Sequence, residues 1–177
     1  MPRPSIQQLR GIGDFQTLYR WQFQVVAAPA AVAGFPASED LNLRCESTAL
    51  PYRKNDKIDV TIRGHKLPQN GITTYGDNTI KLVFAETVDG TVKKLVKAYH
   101  DALWNTTTGA AAGSREDLSF DFLLTLMDNQ DQPVWEYKII GAQLDSDTPG
   151  ELGNGERGDI QKPELTFHFL KFEDKQV

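Results

Sequence analysis

Nucleophilic chemistry in this chain has one candidate thiol, Cys45, and three histidines that could activate it, His65, His100 and His168. A thiol attacks only as the thiolate, which needs an electropositive, partly exposed setting. Cys45 instead follows Leu41 and Leu43 at alternate positions, on the apolar face of a predicted strand, where a thiol is inert. A single cysteine also excludes an intrachain disulfide and a multi-cysteine zinc site. The histidines are widely separated and form no H-x-x-x-H or H-E-x-x-H pattern, so no metal site is expected of them. His168, between Phe167 and Phe169, is expected on the outward face of its strand.

The remaining motifs carry little chemistry. Asp145, Asp147 and Glu151 offer carboxylates but lack the ligand order of a calcium loop, and a solvated acidic loop is the commoner meaning. Gly11-Ile12-Gly13 lacks the third glycine and the preceding strand of a dinucleotide fingerprint. Asn105-Thr106-Thr107 matches a glycosylation sequon and Arg157-Gly158-Asp159 is a chance tripeptide in a glycine-rich stretch. Lys93, Lys94 and Lys97 fit the solvated face of an amphipathic helix better than a nucleic-acid patch. No enzyme, cofactor or metal is expected.

Alternation dominates the elements that must carry these residues. Tyr19, Trp21, Phe23 and Val25 share one face of a strand; so do Leu41, Leu43 and Cys45, then Ile58, Val60 and Ile62, then Ile80, Leu82 and Phe84. Leu118 to Leu126 repeats the pattern, Val134 to Leu144 carries bulky residues on both faces, and Leu165, Phe167 and Phe169 form the last core face, with Leu170 and Phe172 opposite. That makes seven strands. One helix follows Thr87, with Val92, Leu95, Val96, Tyr99 and Leu103 as its apolar stripe, Val88 at its start and Thr87 or Asp89 as cap. Strands apolar on both faces need cover on both sides, and one helix cannot give it all, so a neighbouring subunit is expected to contribute.

Loops are expected over Pro29–Ser38, Gly64–Gly76 and Asp145–Asp159, with a shorter linker over Asn105–Ser114. The 177 residues fit a single domain, residues 1–177, with residues 1–17 as an N-terminal arm and long loops at 64–76 and 145–160. Hydrophobic residues make up 40% and charged residues 24%, as in soluble globular proteins. No apolar run reaches the roughly 20 residues of a membrane-spanning helix, and no secretory signal is expected behind Met1-Pro2-Arg3.

Cys45-Glu46-Ser47-Thr48-Ala49-Leu50-Pro51 is similar to the strand and Thr-Ala-Leu-Pro turn of the tail tube proteins of contractile-tailed bacteriophages. The order of elements after it resembles that family too: a polar segment, a strand over Ile58–Arg63, Gly76-Asp77-Asn78-Thr79 leading into Ile80–Ala85 and the helix, then Gly141-Ala142-Gln143-Leu144 and a final aromatic strand. The resemblance spans about Leu18 to Phe172; the long 145–159 loop and residues 1–17 depart from it.

The resemblance implies a mainly β, antiparallel β-sandwich or barrel-like tail-tube fold with one flanking α-helix. It implies six copies per ring, rings stacked into a conduit for DNA, and a sheath, a baseplate and a tail terminator as partners. The location implied is the virion tail, assembled in the host cytoplasm, with no membrane insertion by the subunit. The formal charge of −5 argues against a nucleic-acid binder but not against a conduit, where attraction to phosphates would hinder passage. Contact between rings and subunits is expected at Thr48, Ala49, Leu50, Pro51, Gly64, Gly71 and Tyr75, with the 64–76 loop stacking on the next ring. Asn42, Arg44, Glu46, Asp59, Thr61 and Arg63 are expected to line the channel, Arg44 and Arg63 being neutralised by Glu46 or Asp59. Lys93, Lys94 and Lys97 are expected to face the sheath. Alternatives are the tube of a contractile bacteriocin or type VI-like injection system, a baseplate protein that starts the tube, or, in a different class, a β-barrel small-ligand binder with the aromatic strands as its pocket.

Overall fold

Side chains of a strand alternate between core and solvent, and a single residue in the left-handed region can reset that alternation. Gly141 does so here, at φ 66° in the middle of the longest strand, where the register to the neighbouring strand shifts by one residue. The computed structural model describes residues 19–111, 113–150 and 159–177. Its strands are β1 (Trp21–Ala27), β2 (Cys45–Thr48), β3 (Lys54–Ile62), β4 (His65–Thr74), β5 (Thr79–Phe84), β6 (Trp104–Asn105), β7 (Ala110–Ala111), β8 (Phe120–Met127), β9 (Pro133–Thr148), β10 (Glu164–His168) and β11 (Lys171–Gln176). Two helices, α1 (Ser38–Arg44) and α2 (Thr91–Leu103), complete the described elements.

Seven strands form one antiparallel sheet in the order β1-β8-β9-β10-β5-β2, with β11 also on β9. β10 and β11 are successive lengths of chain along the same edge of β9. Glu164–His168 pairs with its C-terminal part and Lys171–Gln176 with its N-terminal part. Before Gly141 the core-facing residue is Ile139; after it they are Ala142 and Leu144, so the phase shifts while the face is kept. That shift explains bulky residues on both nominal faces of 134–144. The edge chain shifts with it at Leu170, which is why Phe172 lies in the core and not on the opposite face as expected. A Cβ at Gly141 would stand 2.6 Å from Leu170 Cδ1, so the two shifts interlock.

The bent sheet folds on itself as a mainly β, barrel-like sandwich, the class the sequence predicts. Phe23 of β1 meets Phe84 of β5 at 6.1 Å between ring centroids, and Phe122 of β8 meets Phe167 of β10 at 5.0 Å. Tyr99 of α2 stacks on Phe120 at 5.5 Å, burying the stripe Val92, Leu95 and Tyr99 against the same core. Each such buried aromatic contributes roughly 1.5–3 kcal/mol.

Several expected elements differ. Leu41 to Arg44 is helical, and the strand starts only at Cys45. Leu41 is buried while Leu43 is exposed, a helical separation, and Asp40 pairs with Arg44 one turn later at 3.0 Å. This α1 closes the seam between β1 and β2. Asn42 Oδ1 accepts the Phe23 N–H at 2.9 Å and Ser38 Oγ accepts the Val25 N–H at 2.8 Å, satisfying the edge of β1. Tyr19 precedes β1 and is exposed. Neither Thr87 nor Asp89 caps α2, and Val88 is fully exposed. Gly90 stands at the N-cap, and the buried Glu86 carboxylate accepts the N–H groups of Thr87, Val92 and Lys93 at 3.0, 3.3 and 2.9 Å. A carboxylate needs no cation there, because the helix N-terminus supplies positive potential.

The expected 64–76 loop is mostly strand β4, and β9 extends to Thr148, into the expected 145–159 loop. The 105–114 linker contains the small hairpin β6–β7. Residues 1–17 and 151–158 of the expected arm and loop lie outside the described residues.

Candidate assembly surface

Cys45 is shielded, and burial, with the charge of Glu46 adding, pushes its thiol up to about 12. His65 is on β4, His100 on α2 facing Asp147 at 3.4 Å, and His168 on β10 within reach of Gln143 at 3.2 Å and Asp145 at 4.0 Å. Among the described residues no three His, Cys, Asp or Glu side chains cluster to hold a metal. No described helix is long and apolar enough to cross a membrane.

The exceptional surface is the β3–β4 hairpin. Among the described residues these two strands pair only with each other, as a separate two-stranded sheet. Their turn, Arg63-Gly64, has φ 49° and 84°, the two positive values of a type I′ turn matched to strand twist. Opposed residues share a face, so Val60 over Leu67 and Ile58 over Gln69 place Ile58, Val60, Ile62 and Leu67 together. By sequence, Ile58, Val60 and Ile62 read as a core face and Leu67 as part of a loop. Instead Ile58 is 50%, Ile62 53% and Leu67 52% exposed. Gly71 tightens the same face: a Cβ there would stand 3.0 Å from Ile58 Cδ1. The opposite face carries Lys57, Asp59, Thr61 and Lys66, with Lys57 and Asp59 paired at 3.0 Å. A two-stranded hairpin with one apolar face and no sheet beneath it is marginal alone in water.

Its root is built with care. Pro51 is buried and Leu50 exposed where the Thr48–Pro51 turn leaves β2. The Arg53 guanidinium lies 4.7 Å over the Phe172 ring and is ion-paired with Asp174, both on β11. Tyr75 meets the same Phe172 ring at 5.3 Å, so this residue packs into the subunit itself. The Tyr52 ring covers Gly76, leaving no room for a Cβ there. Sequence reasoning did not single out Tyr52, Arg53, Gly76 or Asp174 for this, since 121 residues separate Arg53 from Asp174.

The other expected site residues scatter. Asn42 is spent on the β1 edge. Arg44 is paired with Asp40 and donates to Thr87 Oγ1 at 2.7 Å, while Glu46 is paired with Lys162 at 2.7 Å, so Glu46 does not neutralise Arg44. Asp59 stands opposite Pro68 and pairs with Lys57, away from Arg63 in the turn. Asn42, Arg44 and Glu46 therefore do not share a strand face with Asp59 and Thr61. On α2, Lys93 donates to Gln161 Oε1 at 2.7 Å and Lys97 is paired with Asp101, while Lys94 is exposed.

No family model matches the chain, and no curated protein matches it at a significant level. Solved structures do. A chain of the cryo-EM structure of the anti-feeding prophage (AFP) baseplate superposes with a TM-score of 0.65 at 10% identity, over 93% of this chain and 97% of that one. The fold is that of contractile-injection-system components. A chain of the PVC sheath/tube terminator, from an extracellular contractile injection system in its extended state, gives 0.65 at 12% identity over 93% and 99%. A chain of the PVC sheath-tube complex gives 0.58 at 13% identity over 99% and 100% of the two chains. At such identities the shared property is the injection-system fold, end to end, and that is the fold the sequence resemblance predicts.

Proposed function

We propose that this chain is a non-enzymatic structural subunit of the inner tube of a contractile tail, six copies closing into a ring and rings stacking into a conduit. The observation that carries this reading is the β3–β4 hairpin, which pairs with no other strand and whose apolar face is half exposed among the described residues, on a fold otherwise found in sheath–tube and baseplate assemblies. A heterologous contact whose rotation closes makes a ring, and pairing between copies removes open strand edges. In this reading the apolar face of the hairpin, with Gly64 and Gly71 shaping it, docks on the next copy. Its polar face, with Asp59 and Thr61, is left for the conduit. The α2 lysines face outward toward a sheath.

Negative-stain microscopy of the concentrated protein tests this. Six-fold rings or tubes with a central hole are expected, and monomers at every concentration would overturn it. A second reading concerns the cargo. The matching structures come from the anti-feeding prophage and an extracellular contractile injection system, which favours the tube of an injection system over one for DNA ejection from a virion. Tubes isolated from the producing cells carry protein and no capsid in the first case, and are attached to DNA-filled capsids in the second.

A further inference from the structure

We propose that Arg53 is a latch that presets the angle of the β3–β4 hairpin before a second copy covers it, an inference that rests on the hairpin being the docking element of the tube. Twenty-one residues, 54–74, form this hairpin, and among the described residues they pair with no strand of the sandwich. A lever this long converts a small rotation at the root into a large displacement at Arg63-Gly64. Two root contacts meet on one spot of the sandwich, and a third clasps the two root segments to each other. Arg53 covers the buried Phe172 ring at 4.7 Å while holding Asp174, Tyr75 packs on the same ring at 5.3 Å, and the Tyr52 ring lies over Gly76. Phe172 is 3% exposed, so the segments at both ends of the hairpin rest on a ring buried in the core.

Arginine suits the role better than lysine. A planar guanidinium can lie over an aromatic face and point its fork at a carboxylate in one rotamer, whereas an ammonium offers neither plane nor fixed donor directions. The pair is on the surface, so its contribution to overall stability is small. Its effect is on orientation, which decides how much of the subunit population is ready to dock. Docking strength falls in proportion to the competent fraction.

Hydrogen exchange on dilute, unassembled protein, followed by sedimentation across a concentration series, tests the latch with Arg53→Ala and Arg53→Lys. In Arg53→Ala the amides of residues 54–74 should exchange at least tenfold faster while those of β8 and β9 keep their rates. The concentration needed for assembly should rise at least tenfold, with Arg53→Lys in between. Hairpin exchange at the wild-type rate in Arg53→Ala, or assembly at the wild-type concentration, overturns the proposal. Should the wild-type protein itself never assemble, the tube reading falls, and the exchange comparison alone still decides whether Arg53 holds the hairpin.

Discussion

At the scale of single residues, Gly141 governs more than any charged group does. Its φ of 66° is open to glycine, and its missing side chain is replaced by Leu170 of the neighbouring edge. The Asp121 carboxylate accepts the Gly141 N–H at 3.0 Å, fixing the bulge from the β8 side as well. Gly141→Ala should therefore cost about 2–5 kcal/mol, of which about 1–2 is left-handed strain and about 1–3 is overpacking against Leu170. Leu170 is half exposed, so adding Leu170→Ala should return the packing part at little cost of its own. Urea unfolding of the single and double variants measures this; a silent Gly141→Ala would mean the bend does not depend on the bulge. The residue also shows what the sequence hides. Gly141 was visible in the chain, but its φ was not, and without the phase shift the apolar residues on both sides of 134–144 looked like two greasy faces seeking an outside partner.

Elements were legible where alternation ran long and undisturbed. β5, β8 and the Val92, Leu95 and Tyr99 part of the α2 stripe stand where the pattern puts them, each burying one regular face against the same core, while Leu103 at the helix end is exposed. Short patterns failed: three apolar residues over 41–45 fit a strand and a helical turn equally, and the Asp40–Arg44 pair decides for the helix. His65–Thr74 is hidden by Pro68 and Asn70-Gly71, turn-formers that a hairpin tolerates where, among the described residues, β4 has a strand partner on one side only. Of the hairpin proposed to dock, the sequence singles out 64–76, as a loop, while the apolar face over 58–62 reads as core. That distinction has a direct test. Ile58→Thr with Leu67→Thr keeps β propensity and strips the face of its apolar surface. In a core such a pair would cost several kcal/mol; on an exposed hairpin each change should stay within about 0.5 kcal/mol. Thermal unfolding of dilute variant should match wild type, while its rings are lost in the microscope. A strongly destabilised variant would instead make the hairpin part of the subunit's own core.

If copies dock through the hairpin as proposed, assembly and folding of the whole molecule share one free energy. A hairpin face that leaves water only between copies gives the native state a binding term absent from the unfolded chain, so stability must grow with concentration. For six copies closing a ring, that term per subunit grows nearly as RT times the logarithm of the concentration. A hundredfold concentration therefore adds about 2–3 kcal/mol. For a chain of this size, about 2–4 °C accompanies each kcal/mol, so the midpoint should rise by about 5–10 °C across that range. The Ile58→Thr, Leu67→Thr variant, unable to assemble, should melt at one temperature throughout. Scanning calorimetry of both proteins at both concentrations separates the outcomes. A wild-type midpoint that ignores concentration would show that the exposed face is content in water, and the tube would lose its principal physical support.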